Sequence, residues 1–290
     1  MIQHIQLAKY KPGDFIPYLN ITVNQNTVEQ FSNIEYVILQ GSMDRTLYLA
    51  SILLNQILGL NPSIYSIKNL LPNNSAYAAY KIKNILLVSH GMGNPSILTL
   101  LTSLTPLLNL YNNNFKFIRI GTSGGLGINA GTVVLTQNSY TADIIKGYPI
   151  FHNNIKNIYP TTMDLELNQT IIKSWQQQNS EFDLIEANTM CADDFYLSQA
   201  RMDGFMKLDF DKTQQQDYLH TLEKYNIRNI EMESGALGFF ANLYKIQATT
   251  ISTTLVNRIE KDQVAICADL IKEYSQRSQN IIINYLKNII

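Results

Sequence analysis

The chain has 290 residues, of which 46% are hydrophobic and 16% charged, with a formal net charge of −1. This composition excludes a disordered chain, and the length allows one large α/β core. Balanced charge argues against a nucleic-acid partner, and no apolar run approaches the roughly 20 residues that span a bilayer. The two cysteines, Cys191 and Cys267, show neither metal-ligand spacing nor a disulfide pattern, which favours a reducing compartment. We therefore expect a globular cytoplasmic protein with no membrane partner.

The first chemically suggestive segment is a predicted strand over 34–39 that leads through a glycine turn into a helix. Apolar side chains from Thr46 to Leu60 recur at helical spacing. The turn carries Gly41 and Arg45, and free N–H groups at a helix start attract anions. Two interpretations stay open for Arg45, an anion ligand and an arginine that only faces solvent.

A second buried strand is predicted over 85–88, followed by a glycine-rich loop and an apolar helix over 97–110. This helix leads into a third predicted strand over 115–120. The succession predicts a βαβ unit with a parallel pair of strands. In such sheets ligands bind beyond the carboxyl ends of the strands.

The third strand contains Arg119 and breaks at the small-residue segment Gly121–Gly125, which we predict to be a loop. A guanidinium with loop N–H groups and hydroxyls suits an anion. The alternative is an arginine that pairs with a structural carboxylate. Because two strand ends each carry an arginine, the anion interpretation gains weight.

The second half of the chain alternates predicted strands and helices without a linker or repeat. Strands are predicted over 132–136 and 248–256, and helices over 168–178, 235–244 and 266–289. We therefore predict an α/β protein with one domain.

Two polar pairs stand out in this half. Gln199 and Arg201 lie two residues apart, so in an extended segment both would point the same way and could recognise a heterocycle with adjacent carbonyls. Glu231 and Glu233 lie at a strand-to-helix transition, where a carboxylate could accept hydrogen bonds from a vicinal diol. The alternatives are a solvated polar loop for the first pair and helix N-terminal carboxylates for the second.

Four motifs in the chain together resemble the uridine phosphorylases of the animal type, within the nucleoside phosphorylase superfamily. They are Ser89–Gly93, Arg119–Gly125, Phe195–Gly204 and Asn229–Ser234. The resemblance implies a three-layer α/β/α sandwich with a central mixed sheet, as a single nucleoside phosphorylase-like domain over 1–290. It also implies phosphorolysis of uridine to uracil and ribose 1-phosphate, with phosphate as co-substrate and without metal or organic cofactor.

The resemblance further implies three groups of site residues. Phosphate would be bound by Gly41, Arg45, Arg119 and Thr122, uracil by Phe195, Gln199, Arg201 and Arg258, and ribose by Met232 and Glu233. Arg119, Arg201 and Arg258 would be the catalytic residues. Purine-cleaving relatives place an aspartate where Asn257-Arg258 stands here, which favours a pyrimidine substrate.

Two positions depart from the family pattern. The family forms homodimers in which a histidine and an arginine from the partner complete the site, and Tyr18 and Ala76 stand at these positions here. An alanine cannot hold phosphate electrostatically. The sequence thus leaves open a weak or silent paralogue that binds a nucleoside or acts as a structural subunit. The preference among uridine, deoxyuridine and thymidine and any assembly beyond a dimer also stay open.

Overall fold

The computed structural model describes residues 6–111, 114–178, 180–206 and 209–290. The chain divides into two compact units, of which the first runs to Arg119 and includes Leu243–Gln247. The second unit comprises Ile120–Asn242 and Ala248–Ile290. The boundary after Arg119 falls inside a strand rather than in a linker. A single domain over 1–290 stays a prediction.

The first unit begins with two short strands and a short helix, followed by alternating strands and helices. Its elements are β1 (Phe15–Ile16), β2 (Ile21–Thr22), α1 (Gln25–Gln30), β3 (Tyr36–Gln40), α2 (Met43–Leu58), β4 (Ala79–Ile82), β5 (Ile85–Ser89), α3 (Asn94–Leu108) and the start of β6 (Lys116–Gly125). Every residue of β3 and β5 is buried, as their continuous apolar sequences predict. The predicted strands and helices of this unit are thus confirmed within a few residues.

The strands of the first unit follow the order β6, β3, β5, β4. β3 and β5 are parallel, and β4 pairs antiparallel with β5 at the edge. The backbone N–H of Lys116 donates to the carbonyl of Glu35 at 2.9 Å, so β6 starts beside the start of β3 and runs in the same direction. The two strands of the predicted βαβ unit are therefore not neighbours, because β3 lies between β5 and β6.

The second unit contains the end of β6 and the remaining elements. These are β7 (Val133–Tyr140), β8 (Tyr148–His152), β9 (Ile155–Tyr159), α4 (Leu165–Gln176), β10 (Leu184–Cys191), α5 (Lys212–Lys224), β11 (Ile227–Glu231), α6 (Ser234–Tyr244), β12 (Ala248–Asn257) and α7 (Ala268–Lys287). β10 is parallel to β7 and β11, whereas β12 is antiparallel to β7. Together with the first unit this confirms the predicted α/β class with a mixed sheet.

The predicted loop over 121–125 is wrong, because β6 continues to Gly125. Its last residues pair antiparallel with β11, with Gly124 opposite Ile230 and Gly125 opposite Asn229. A Cβ built on Gly124 would lie 2.8 Å from Cγ of Arg258. The glycines are therefore required for close packing within a strand and not for a turn.

No helix among the described residues is both long and apolar enough to cross a membrane. No cluster of three or more histidine, cysteine, aspartate or glutamate side chains among them is arranged to hold a metal ion.

Candidate active site

Two of the predicted phosphate ligands, Gly41 and Arg45, lie where β3 leads into α2. Ser42 caps the helix, and its hydroxyl accepts a hydrogen bond from the backbone N–H of Arg45. The free N–H groups of this first turn give the helix start a partial positive charge. Arg45 lies in that turn with its side chain in solvent, so it adds a full charge to the same place.

Gly41 lies at a point of close approach between three segments. A Cβ built there would lie 3.2 Å from the carbonyl oxygen of Gly91, 3.8 Å from Cε1 of His90 and 3.9 Å from Nη2 of Arg45. Nη2 of the exposed Arg45 side chain therefore lies close to the Gly41 backbone. His90, which the sequence suggests only as a structural residue, is buried against this turn.

Arg119 lies on β6, three residues after the start of the strand, and only 4% of it is exposed. β6 is the neighbour of β3, the strand that leads into the Gly41 turn. A guanidinium keeps its charge at any physiological pH and offers a planar fork to an oxyanion. Gly41, Arg45 and Arg119 thus belong to one unit, and the two arginines in it each carry a guanidinium that could bind an oxyanion. The fourth predicted phosphate ligand, Thr122, lies half-buried in the second unit.

The second unit brings Gln199 and Arg201 together in a turn and not in an extended segment, so that expectation is wrong. The backbone N–H of Ala200 donates to the carbonyl of Leu197, and that of Arg201 donates to the carbonyl of Tyr196, both at 3.0 Å. Ala200 has φ of 51°, a left-handed conformation that alanine rarely adopts. Gln199 and Arg201 are nonetheless buried, with 5% and 8% exposed, which excludes the solvated-loop alternative.

Arg201 is held on two sides. Its Nε and Nη2 donate to the two carboxylate oxygens of Asp203 at 2.9 and 2.6 Å. Its guanidinium carbon lies 4.6 Å from the ring centroid of Phe195, a stacking distance. No described residue accepts a hydrogen bond from Nη1 of Arg201. That donor is available for a ligand, next to the half-exposed Phe195 ring.

Arg258 is fully buried and contacts Gln199 directly. Its Nη2 donates to the backbone carbonyl of Gln199 at 2.9 Å, and its Nη1 donates to Oε1 of Gln199 at 3.4 Å. Asp262 accepts from Nε of Arg258 at 3.0 Å. Burial lowers the pKa of Arg258, and Asp262 opposes this decrease. That Arg258 contacts uracil stays a prediction, and the structure shows it in contact with Gln199.

Replacing Gly124 by alanine should lower the free energy of unfolding by about 1–3 kcal/mol, because its Cβ would overlap the Arg258 stem. The distances are 2.8 Å to Cγ and 3.2 Å to Cδ of Arg258. Urea unfolding of the single variant checks this. In an Arg258→Ala background the overlap is gone, so the cost of Gly124→Ala should shrink. An equal cost in both backgrounds would contradict the packing argument.

The two glutamates after β11 have different roles. The Glu231 carboxylate accepts the backbone N–H groups of Glu233 and Ser234 at 3.0–3.1 Å, so it caps α6 as the structural alternative predicts. Glu233 is buried, with 5% exposed. Met232, between them, packs against the core cluster around Met190. Glu233 and Met232 stay predictions as ribose ligands.

Tyr18 and Ala76 lie side by side in the first unit. The backbone N–H of Ala76 donates to the carbonyl of Tyr18 at 3.4 Å, and both residues are exposed. The two departures from the family pattern therefore share one surface of the unit. Neither side chain can provide the positive charge that the resemblance implies there.

Three comparisons with known proteins assign the chain to a family. A model described as the phosphorylase superfamily matches residues 71–287. Uridine phosphorylase 1 of Mus musculus is 31% identical over 94% of this chain and 88% of its own. Inactive uridine phosphorylase B of Schistosoma mansoni is 29% identical over 89% of this chain and 86% of its own.

A solved structure gives the same assignment. The uridine phosphorylase of Schistosoma mansoni in complex with 5-fluorouracil superposes with a TM-score of 0.87 at 29% identity, over 95% of this chain and 94% of that one. These matches confirm the resemblance inferred from the four motifs. The chain therefore belongs to the phosphorylase superfamily and, within it, to the uridine phosphorylase family.

Proposed function

We propose that this protein cleaves uridine with inorganic phosphate, which yields uracil and ribose 1-phosphate. The observation that carries the proposal is the buried pair Gln199 and Arg201, held in one turn with hydrogen-bonding atoms to spare. Uracil presents an N–H between two carbonyls, and an amide beside a guanidinium matches that edge. Gln199 would accept from the ring N–H and donate to a carbonyl, while Nη1 of Arg201 would donate to a carbonyl.

The proposed phosphate ligands are those that the family resemblance implies. Arg45 and Arg119, with the N–H groups at the start of α2, would hold phosphate, and Gly41 leaves room for its approach. Thr122 would add a hydroxyl. Glu233, buried between β11 and α6, would accept hydrogen bonds from the ribose hydroxyls, and Met232 would pack against the sugar.

The mechanism follows from where charge develops. As the glycosidic bond breaks, the sugar becomes positive and the departing base becomes negative. Hydrogenphosphate stabilises the sugar cation and then bonds through one oxygen to its anomeric carbon, while Arg201 and Gln199 stabilise the uracil anion. The proton that hydrogenphosphate loses on bonding balances the one that the released uracil anion takes up from solvent. Because these fixed donors stabilise the anion directly, we propose that the reaction requires no proton-donating acid and no metal or organic cofactor.

We further propose a cytoplasmic homodimer that acts in pyrimidine nucleoside salvage. Nucleoside and phosphate are its only proposed small-molecule partners. The balanced charge of the chain supports the absence of a nucleic-acid partner. The exposed surface that carries Tyr18 and Ala76 is the one that the family resemblance places at the partner.

We prefer the active enzyme over the silent paralogue. The silent alternative depends on Tyr18 and Ala76 alone. The relative named inactive is no more similar to this chain than the mouse uridine phosphorylase, so it does not favour that alternative. In contrast, Gln199 and Arg201 are buried and held by several hydrogen bonds, as a working base site requires.

The direct test measures uracil release from uridine by the purified protein at several phosphate concentrations. We expect release of uracil from uridine that depends on phosphate, and no cleavage of inosine. Uridine that binds in calorimetry without being cleaved at high enzyme and phosphate would instead support the silent paralogue.

A further inference from the structure

Asp262 lies behind the predicted base ligands and joins three separate segments. Its carboxylate accepts from Nε of Arg258 at 3.0 Å, from the backbone N–H of Met202 at 2.9 Å, and from Nε2 of Gln215 at 3.0–3.1 Å. Only 9% of its side chain is exposed. Burial would raise the pKa of Asp262, but these hydrogen bonds and the Arg258 charge lower it, so the group is an anion at neutral pH.

Arg258, which Asp262 holds, determines which way the Gln199 amide faces. A guanidinium has only donors, so the amide atom that faces Nη1 of Arg258 at 3.4 Å must be the oxygen. The nitrogen of the amide gives the same orientation. Nε2 of Gln199 donates to the carbonyl of Asp194 at 3.2 Å, and a carbonyl can only accept. The orientation of the amide is therefore fixed at both ends.

A fixed amide recognises one pattern of base atoms. After these two contacts Gln199 retains one lone pair on Oε1 and one N–H on Nε2. The lone pair matches a ring N–H, as at N3 of uracil, and the N–H matches the adjacent carbonyl. Cytosine has a lone pair at N3, which would face the lone pair of Oε1. An amide free to turn over would tolerate both bases.

We propose that Asp262 is a positioning residue for base discrimination, because it holds Arg258 so that Gln199 accepts an imide N–H and rejects a ring nitrogen with a lone pair. The inference rests on the proposed function, in that it takes Gln199 to face the base. Asp262 touches Arg258 and not the base, and its effect reaches the base through the amide orientation.

Gln215 supports the same arrangement from α5. Its Nε2 donates to the carbonyl of Ala200 at 2.5 Å as well as to Asp262, and its Oε1 accepts from Nζ of Lys212 at 2.7 Å. Ala200 adopts a left-handed conformation, which needs such support from its surroundings. Gln215 and Asp262 thus hold the backbone at Ala200 and at Met202, on the two sides of Arg201.

The test compares binding of uracil and of cytosine to the full-length protein by calorimetry, in the presence of phosphate. In Asp262→Asn one oxygen becomes an NH₂ group that faces donors, so Arg258 loses its charged partner with little change in volume. We expect uracil affinity to fall about ten- to a hundred-fold, since hydrogen bonds to charged groups are worth about 1.5–3 kcal/mol. The ratio of uracil affinity to cytosine affinity should fall by about ten-fold.

Glu223→Gln is the matched control, because Glu223 pairs with Arg228 in the same unit at 3.3 Å and contacts neither Gln199 nor Arg258 in the described structure. It should leave the affinity ratio unchanged. An unchanged ratio in Asp262→Asn with only a lower melting temperature would overturn the inference and leave Asp262 a structural residue. The same narrowing in both variants would overturn it too.

Calorimetry together with the uracil-release assay separates this inference from the proposed function. A wild-type protein that prefers uracil but releases none from uridine would contradict phosphorolysis, while the expected narrowing in Asp262→Asn would still support the role of Asp262. A wild-type protein with no preference for uracil over cytosine would contradict the inference directly.

Discussion

Replacing Arg119 by glutamine should lower kcat/KM for uridine phosphorolysis by about a hundred- to a thousand-fold, with a large increase in the KM for phosphate. Removing one fixed donor aimed at transition-state charge costs about 2.7–4 kcal/mol. Arg119 is 4% exposed on a fully formed strand, so its charge acts where water screens it little. Steady-state rates at varied phosphate measure the effect.

Lys116→Gln is the control for Arg119→Gln. Lys116 lies on the same strand, and its ammonium is 5.8 Å from the ring centroid of Tyr36. This variant loses the same charge from the same strand and should keep kcat/KM within about two-fold. Arg119→Lys keeps the charge without the planar fork, so it should lie between wild type and Arg119→Gln. Phosphate kinetics unchanged in a folded Arg119→Gln protein would refute the phosphate role of Arg119.

Replacing Arg201 by glutamine should lower kcat/KM by a similar factor, about a hundred- to a thousand-fold, but through the departing base. The readout that isolates this role is the leaving group. 5-Fluorouracil is a more stable anion than uracil, so it needs less help from the protein to depart. The decrease in kcat/KM caused by Arg201→Gln should therefore be about ten-fold smaller with 5-fluorouridine than with uridine.

Arg228→Gln is the control for Arg201→Gln, since Arg228 pairs with Glu223 and its side chain is 33% exposed. Arg228→Gln should leave kcat/KM unchanged for both uridine and 5-fluorouridine. The same fractional loss for uridine and 5-fluorouridine in Arg201→Gln would mean that Arg201 binds the base equally in the ground and transition states. That result would contradict its role in stabilising the uracil anion.

Most of the fold could be predicted from the sequence where burial leaves a simple pattern. β3 and β5 are buried on both faces, so their sequences are continuously apolar, and α2 and α7 show helical spacing. The order of strands could not be predicted, since the insertion of β3 between β5 and β6 depends on long-range packing. The extension of β6 to Gly125 could not be predicted either. Glycines in a sequence usually indicate a turn, and only the structure shows that the Arg258 side chain packs against Gly124.

The candidate site, like the fold, could be predicted from the sequence only in part. Gln199 and Arg201 could be singled out by residue type, but the expected extended geometry is wrong, since their burial comes from a turn at Ala200. Asp262 was missed, although its position four residues after Arg258 is a spacing at which charged pairs meet in a helical turn. Gln199, the other partner of Arg258, lies in a distant segment of the sequence, so only the structure identifies that contact.

The measurement that tests the central claim most directly follows labelled inorganic phosphate during the cleavage of uridine. The account predicts one labelled ribose 1-phosphate for each uracil released, and no release when phosphate is left out. Uracil released without label in the sugar product would identify a hydrolase and contradict the account.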